Sequence, residues 1–151
     1  MRERLSGLAL LSVPHPRTGG AARRAGLLLG LALTAAAGRF PARLLRLSNT
    51  DEAASIFVPW LLWHWRGHFG PHLRPGGRLP PEVPLFSGAG SRDSLWAPPA
   101  GVRRLHEQVE GGHARSRCLV FAGFGHSDLV TGARAPQQLW AALEQWLEET
   151  D

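Results

Sequence analysis

The sequence predicts an α/β protein: a small parallel sheet of about three strands with flanking helices and a mainly helical insertion. Three stretches point to it. Residues 83–149 run strand, loop, helix, strand, loop, helix, and this βαβα order implies parallel strands joined by a crossover helix. Cys118 to Ala122 is a short apolar run without polar alternation, suited to a strand buried on both faces. Leu5 to Val13 is a second such run, closed by Pro14 and Pro16, which favours a strand over the start of a helix. The expected organisation is one domain in three segments: a first core strand over 1–13, a helical insertion over 14–82, and a C-terminal core over 83–151.

A chain of 151 residues can bury roughly 68–70% of the surface its unfolded form exposes, so no disulfide framework is required. The single cysteine, Cys118, falls inside an expected buried strand and reads as a small core residue. The net charge of +5 comes from arginine alone, since the chain contains no lysine. These arginines are scattered in ones and twos, without the basic face interleaved with aromatics that nucleic-acid binding requires, so no nucleic-acid partner is expected. The longest apolar run, Ala25 to Gly38, is 14 residues interrupted by Thr34, short of the roughly 20 needed to span a bilayer. Helices over 25–65 lack a clean polar face, which argues against membrane association. The N-terminus has the charge and apolar core of a signal peptide, but Glu3 lies in its charged region and no small-x-small site precedes Pro14. A cytoplasmic location is therefore expected over export.

In chain order, Thr18-Gly19-Gly20 would cap a helix reaching about Ala37 and stopped at Gly38. A second helix would start from a cap at Thr50, with Asp51 and Glu52 in its first turn and Pro59 kinking or breaking it. This second helix is apolar on nearly every face, with Trp60, Trp63 and Trp65 among its residues, so it must be buried on several sides or border an apolar cavity. Residues 67–84 read as loop. Val83 to Phe86 is an expected strand, broken by Ser87-Gly88-Ala89-Gly90. A helix follows over about Ala100 to Val109, ended by Gly111-Gly112. The last helix starts near Ala135, with Pro136 in its first turn and Leu139, Trp140, Leu143, Trp146 and Leu147 at helical spacing.

The chemistry concentrates where the two C-terminal strands end. Gly123 and Gly125 bracket Phe124 and allow a sharp turn that presents His126. Asp93 follows the preceding strand. Paired strands lie about 4.8 Å apart, so the two loops can bring a carboxylate and an imidazole into hydrogen-bond reach. Such a pair suits proton transfer, the carboxylate holding the imidazole's tautomer and stabilising its cation.

The stretch Gly90-Ser-Arg-Asp93-Ser-Leu-Trp-Ala-Pro-Pro, followed by Gly125-His126-Ser-Asp128-Leu-Val-Thr-Gly and a Pro-Gln-Gln-Leu-Trp helix, resembles the C-terminal part of an α/β-hydrolase of the lipase and esterase branch. The resemblance implies that Asp93 is the triad acid and His126 the base, that residues 14–82 form a lid, and that the substrate of the intact enzyme is an apolar ester, with no cofactor. It also implies a missing half. No Gly-x-Ser-x-Gly occurs in the sequence, so neither nucleophile elbow nor oxyanion hole is expected on this chain. A misassigned start, a frameshift or a gene fragment would each give that pattern. The Leu5–Val13 strand would then offer an unpaired edge to a complementary N-terminal half or to a second copy. A non-catalytic interaction module using that edge and the tryptophan-rich insertion is the alternative.

Other polar residues have plainer readings. Asp128, two residues from His126, is expected to organise its own turn through backbone N–H groups. His64, His68 and His72 recur every four residues, but Gly67, Gly70 and Pro71 interrupt the helix and no acidic or cysteine ligand is near, so no metal site is expected. His15, His106 and His113 lack any motif and read as surface residues.

Overall fold

The computed structural model describes residues 5–13, 15–16, 21–45, 51–68, 77–94 and 96–150. The elements are β1 (Leu8–Leu11), α1 (Ala21–Ala37), β2 (Arg39–Phe40), β3 (Glu52–Ala53), α2 (Ala54–Arg66), β4 (Leu85–Gly90), α3 (Pro99–Val109), β5 (Arg117–Phe121), α4 (Asp128–Thr131) and α5 (Ala141–Thr150), the last preceded by a π-helical turn over Pro136–Trp140. The caps expected at Thr18–Gly20 and Thr50 lie outside the described residues, as do Pro14 and His72.

Two compact units are formed, one from Met1–His15 with Arg74–Asp151 and one from Pro16–Leu73. The second boundary precedes the expected residue 82, because the segment before β4 belongs to the first unit. There Leu79 donates its N–H to the Val109 carbonyl at 2.7 Å, and Gly111 comes so close to the Leu79 carbonyl that no Cβ would fit.

The first unit is mixed α/β, built on a three-stranded parallel sheet in the order β1-β4-β5. Leu8 pairs with Leu85 and Phe86 with Arg117, so β4 is the central strand and all six of its residues are buried. Ser87-Gly88-Ala89-Gly90 does not break this strand, contrary to the sequence expectation. Small residues are needed there because helices pack on both faces. On one face Ala89 packs with Ala97 and Val102 of the α3 side. On the other, Phe86 packs with Leu139 and Trp146, and a Cβ at Gly88 would already touch Leu139 and Leu11. The Trp146 indole N–H is satisfied by the Arg115 carbonyl at 2.8 Å, which lets the largest side chain of the unit be buried without a polar penalty. Trp140 and Leu147, whose spacing suggested burial, are exposed in part, at 38% and 48%, and the Trp140 indole N–H donates to the Val130 carbonyl at 3.2 Å.

In the second unit α1 and α2 pack together, with Gly30 admitting the Leu61 side chain at van der Waals distance. The pair is joined through the short antiparallel β2 and β3, which the sequence did not suggest. Phe40 stacks on Phe57 with ring centroids 3.6 Å apart. Helix α2 runs through Pro59 without breaking and ends on Gly67, whose φ of 77° suits the left-handed cap that glycine adopts without strain.

Candidate functional site

The strand ends of the first unit carry the site. Strand β4 stops at Gly90, where a Cβ would collide with the Phe124 carbonyl and come within 2.7 Å of the Gly125 carbonyl. Only glycine lets the two loops approach so closely. Once together they are stitched by backbone bonds. Ser91 N–H donates to the Phe121 carbonyl and Arg92 N–H to the Phe124 carbonyl, each at 2.9 Å. Gly123, held at φ 78°, donates its N–H to Ser91 Oγ at 2.9 Å and accepts from the Arg134 guanidinium at 3.2 Å. The same guanidinium sits over the Phe124 ring, 4.7 Å from its centroid, covering a side chain that is otherwise buried.

This framework brings Asp93 and His126 together. His126 Nδ1 lies 2.6 Å from Asp93 Oδ2, a short charge-assisted contact, while Asp93 Oδ1 accepts the Trp96 N–H at 3.0 Å. The Asp93 side chain is 1% exposed and that of His126 39%. Burial pushes the Asp93 carboxyl up, but the bond from His126, the N–H groups of Ala97 and Trp96 and the imidazole's charge together outweigh it and hold the carboxyl below its ordinary range. An ionised carboxylate only accepts, so Nδ1 carries the proton of this bond, and in the neutral form of the ring the lone pair lies on Nε2. Among the described residues Nε2 makes no hydrogen bond. The arrangement is a half-exposed imidazole base whose tautomer is set by a buried anion.

Three further groups shape the turn. Asp128 accepts the Gly125 N–H at 3.3 Å, so it organises its own loop as its position suggested. The Ser12 hydroxyl, just past β1, donates to the His126 carbonyl at 3.4 Å, and Ser12 is the one non-glycine residue at positive φ among the described residues. The Trp96 ring lies 6.3 Å from the imidazole. The sequence reading missed Ser12, Ser91 and Arg134. Ser91 adjoins the Asp93 motif and could have been found there, but nothing in the local sequence marks Arg134, whose role comes from the fold.

A second polar pair lies below the site, between α3 and β4. His106 was expected at the surface and is instead buried, because it falls on the inner face of α3 beside Val102 and Leu105. Its Nδ1 is 2.9 Å from Ser87 Oγ, itself buried on β4. Burial depresses the His106 pKa despite the opposing charges of Glu110 and Glu107, which favours the neutral ring, and the serine hydroxyl can serve Nδ1 as donor or acceptor. Glu110 Oε2 is 3.6 Å from Nε2, too far for a hydrogen bond. Serine, histidine and carboxylate stand in series here, but a hydroxyl sealed between strand and helix meets no substrate.

The remaining candidates are structural. His15 is partly buried and not a free surface residue, with a buried Nδ1 that finds no hydrogen-bond partner among the described residues. His113 accepts the Arg115 N–H at 3.1 Å through its Nδ1. His64 is buried against Trp60, with centroids 4.2 Å apart. Among the described residues no three His, Cys, Asp or Glu side chains are placed to hold a metal ion. Burial, reinforced by Glu107 and opposed by Arg103, raises the Cys118 pKa, so its sulfur stays a thiol and a poor nucleophile. Among the described residues no helix is long and apolar enough to cross a membrane. Compared with known proteins, the chain matches no family model and no curated sequence.

Proposed function

We propose that this chain is the acid-and-base part of an ester hydrolase of the α/β-hydrolase type, with His126 as general base, Asp93 as the carboxylate that orients it, and the Pro16–Leu73 unit as its lid. The observation that carries this reading is the 2.6 Å contact between a buried carboxylate and a half-exposed imidazole at adjacent parallel strand ends. In such a reaction Nε2 takes the proton from an attacking serine and returns it to the leaving alcohol, while Asp93 stabilises the imidazolium formed between the two steps. The attacking serine and the donors for the oxyanion would come from polypeptide other than these 151 residues, because no Gly-x-Ser-x-Gly occurs among them.

The test uses a fluorophosphonate serine probe and a short acyl nitrophenyl ester. The chain alone is expected to show neither labelling nor turnover. Supplying strand-helix repeats with a Gly-x-Ser-x-Gly turn, in trans or as a fusion, is expected to restore both, and His126→Ala to remove the turnover. Stoichiometric labelling of the chain alone would overturn the proposal.

A second reading, an interaction module without catalysis, draws support from β1, which lies at a sheet edge with no strand on its outer side among the described residues. Tight association with a partner strand and no restored turnover would favour it.

A further inference from the structure

The helix α1 is apolar on both sides. Leu27, Gly30 and Thr34 form its buried face. The opposite face, Ala25, Leu28, Leu29, Ala32 and Ala36, follows i, i+3, i+4, i+7 spacing and is exposed, with Leu28 52% and Leu29 59% accessible. A helix interior of this kind on a water-facing surface marks an interaction site. Other bulky apolar groups of the same unit are also exposed: Leu44 at 79%, with Ile56 and Trp65.

The charge of the chain is distributed as unevenly as its exposed leucines. Pro16–Leu73 contains seven arginines and two acidic residues, whereas the rest of the chain contains ten of each, so the whole net charge of +5 resides on this unit. One of the two acids is already used: Asp51 pairs with Arg39 at 3.2 Å and accepts the Arg43 N–H at 3.1 Å. Arg24 and Arg39 flank the uncharged stretch of α1 at its two ends. Arg24 also lies over the exposed Trp65 ring at 5.9 Å, a pairing of a cation with an amphipathic aromatic suited to a boundary between water and hydrocarbon.

We propose that the exposed face of α1 docks on an anionic lipid surface, its leucines entering the boundary between head groups and acyl chains while the flanking arginines meet the head groups. Sequence alone weighed against a membrane role because the helix has no polar face of its own. The missing polarity is supplied by the rest of the unit, whose arginines provide the attraction that an apolar face alone lacks. The helix lies on the surface without crossing it, consistent with its 17 residues. A lipid surface fits better than a protein partner because it answers both features at once, an apolar helix face without hydrogen-bonding groups and a net excess of positive charge on the same unit. The inference does not depend on the ester-hydrolase reading.

The experiment is flotation of the full chain with vesicles of phosphatidylcholine alone or mixed with phosphatidylglycerol. Binding is expected on the anionic vesicles only, and added salt is expected to release it. Leu28→Asp with Leu29→Asp should lower partitioning by about tenfold or more, since each exposed leucine contributes through the area it buries. The single change Ala32→Glu on the same face should act in the same direction with helix content by circular dichroism unchanged, which separates lost docking from lost folding. Failure to float with anionic vesicles, equal flotation with neutral ones, or variants that bind like the parent would each overturn the proposal. So would a dimer in solution that the Leu28 and Leu29 changes dissociate while lipid binding is absent, which would assign the face to a second copy.

Discussion

Helices α3 and α1 meet the same requirement, one face in and one face out, in opposite ways. On α3 the inner face carries Val102, Leu105 and His106 and the outer face Arg103, Arg104 and Glu107. On α1 the inner face holds Leu27, Gly30 and Thr34, and the outer face is alanine and leucine. The first helix is complete within its unit and even buries a polar group by pairing it. The second leaves apolar surface without a cover. The difference teaches that the sheet unit covers its helix face internally, whereas the helical unit packs α1 on α2 from one side and leaves the other side of α1 open to solvent.

That contrast can be broken most severely in the sheet unit. Trp146→Ala removes the largest buried side chain and its bond to the Arg115 carbonyl, and should cost about 3–5 kcal/mol in chemical denaturation. Gly90→Ala forces a Cβ against the Phe124 and Gly125 carbonyls and should cost about 1–3 kcal/mol or more, with the Asp93 and His126 loops pushed apart. Ser87→Ala leaves His106 Nδ1 buried without its hydrogen-bond partner and should cost about 1–3 kcal/mol, whereas adding His106→Leu removes both polar partners and should cost less than the two single losses summed.

Acid should loosen the sheet unit in two stages. His106 has a folded-state pKa below its ordinary 6.5, so as pH falls through that value the unfolded chain binds the proton first and stability declines until the folded pKa is passed. Asp93 is held below 3.8, so its contribution is present above that pH and is lost as pH falls through its lowered value. Denaturation midpoints measured across this range should show the upper stage disappear in His106→Leu and the lower one shrink in Asp93→Ala. The smallest effect is expected on α1, where Leu28→Gln should change stability by no more than about 0.5 kcal/mol, because an exposed side chain loses little on replacement.

Much of the sheet unit was legible because its signals are local. The strand at Cys118 is bounded by glycine, and the observed Arg117–Phe121 is displaced by one residue. The loop carrying Asp93 and the turn carrying His126 follow their strands as the βαβα order requires, and the two side chains meet. What stayed hidden depends on packing. Ser87-Gly88-Ala89-Gly90 looks like a turn and is a strand, because β4 needs small residues beneath two layers of helix. His106 looks polar and is core, because its position on the face shared with Val102 outweighs its chemistry once Ser87 faces it. Nothing in the sequence marks Leu28 and Leu29 of α1 as exposed, since which side of an apolar helix is covered depends on what packs against it.

The central claim is that Asp93 fixes the proton of neutral His126 on Nδ1 and leaves Nε2 free to act as a base. The most direct measurement is the ring ¹⁵N spectrum of the labelled chain, recorded in the neutral form of His126 and compared with Asp93→Asn, whose amide can donate to Nδ1 and reverse the tautomer. The expected result is a protonated Nδ1 in the parent and a shift of the proton to Nε2 in the variant. The same tautomer in both, or a predominantly Nε2-protonated ring in the parent, would contradict it.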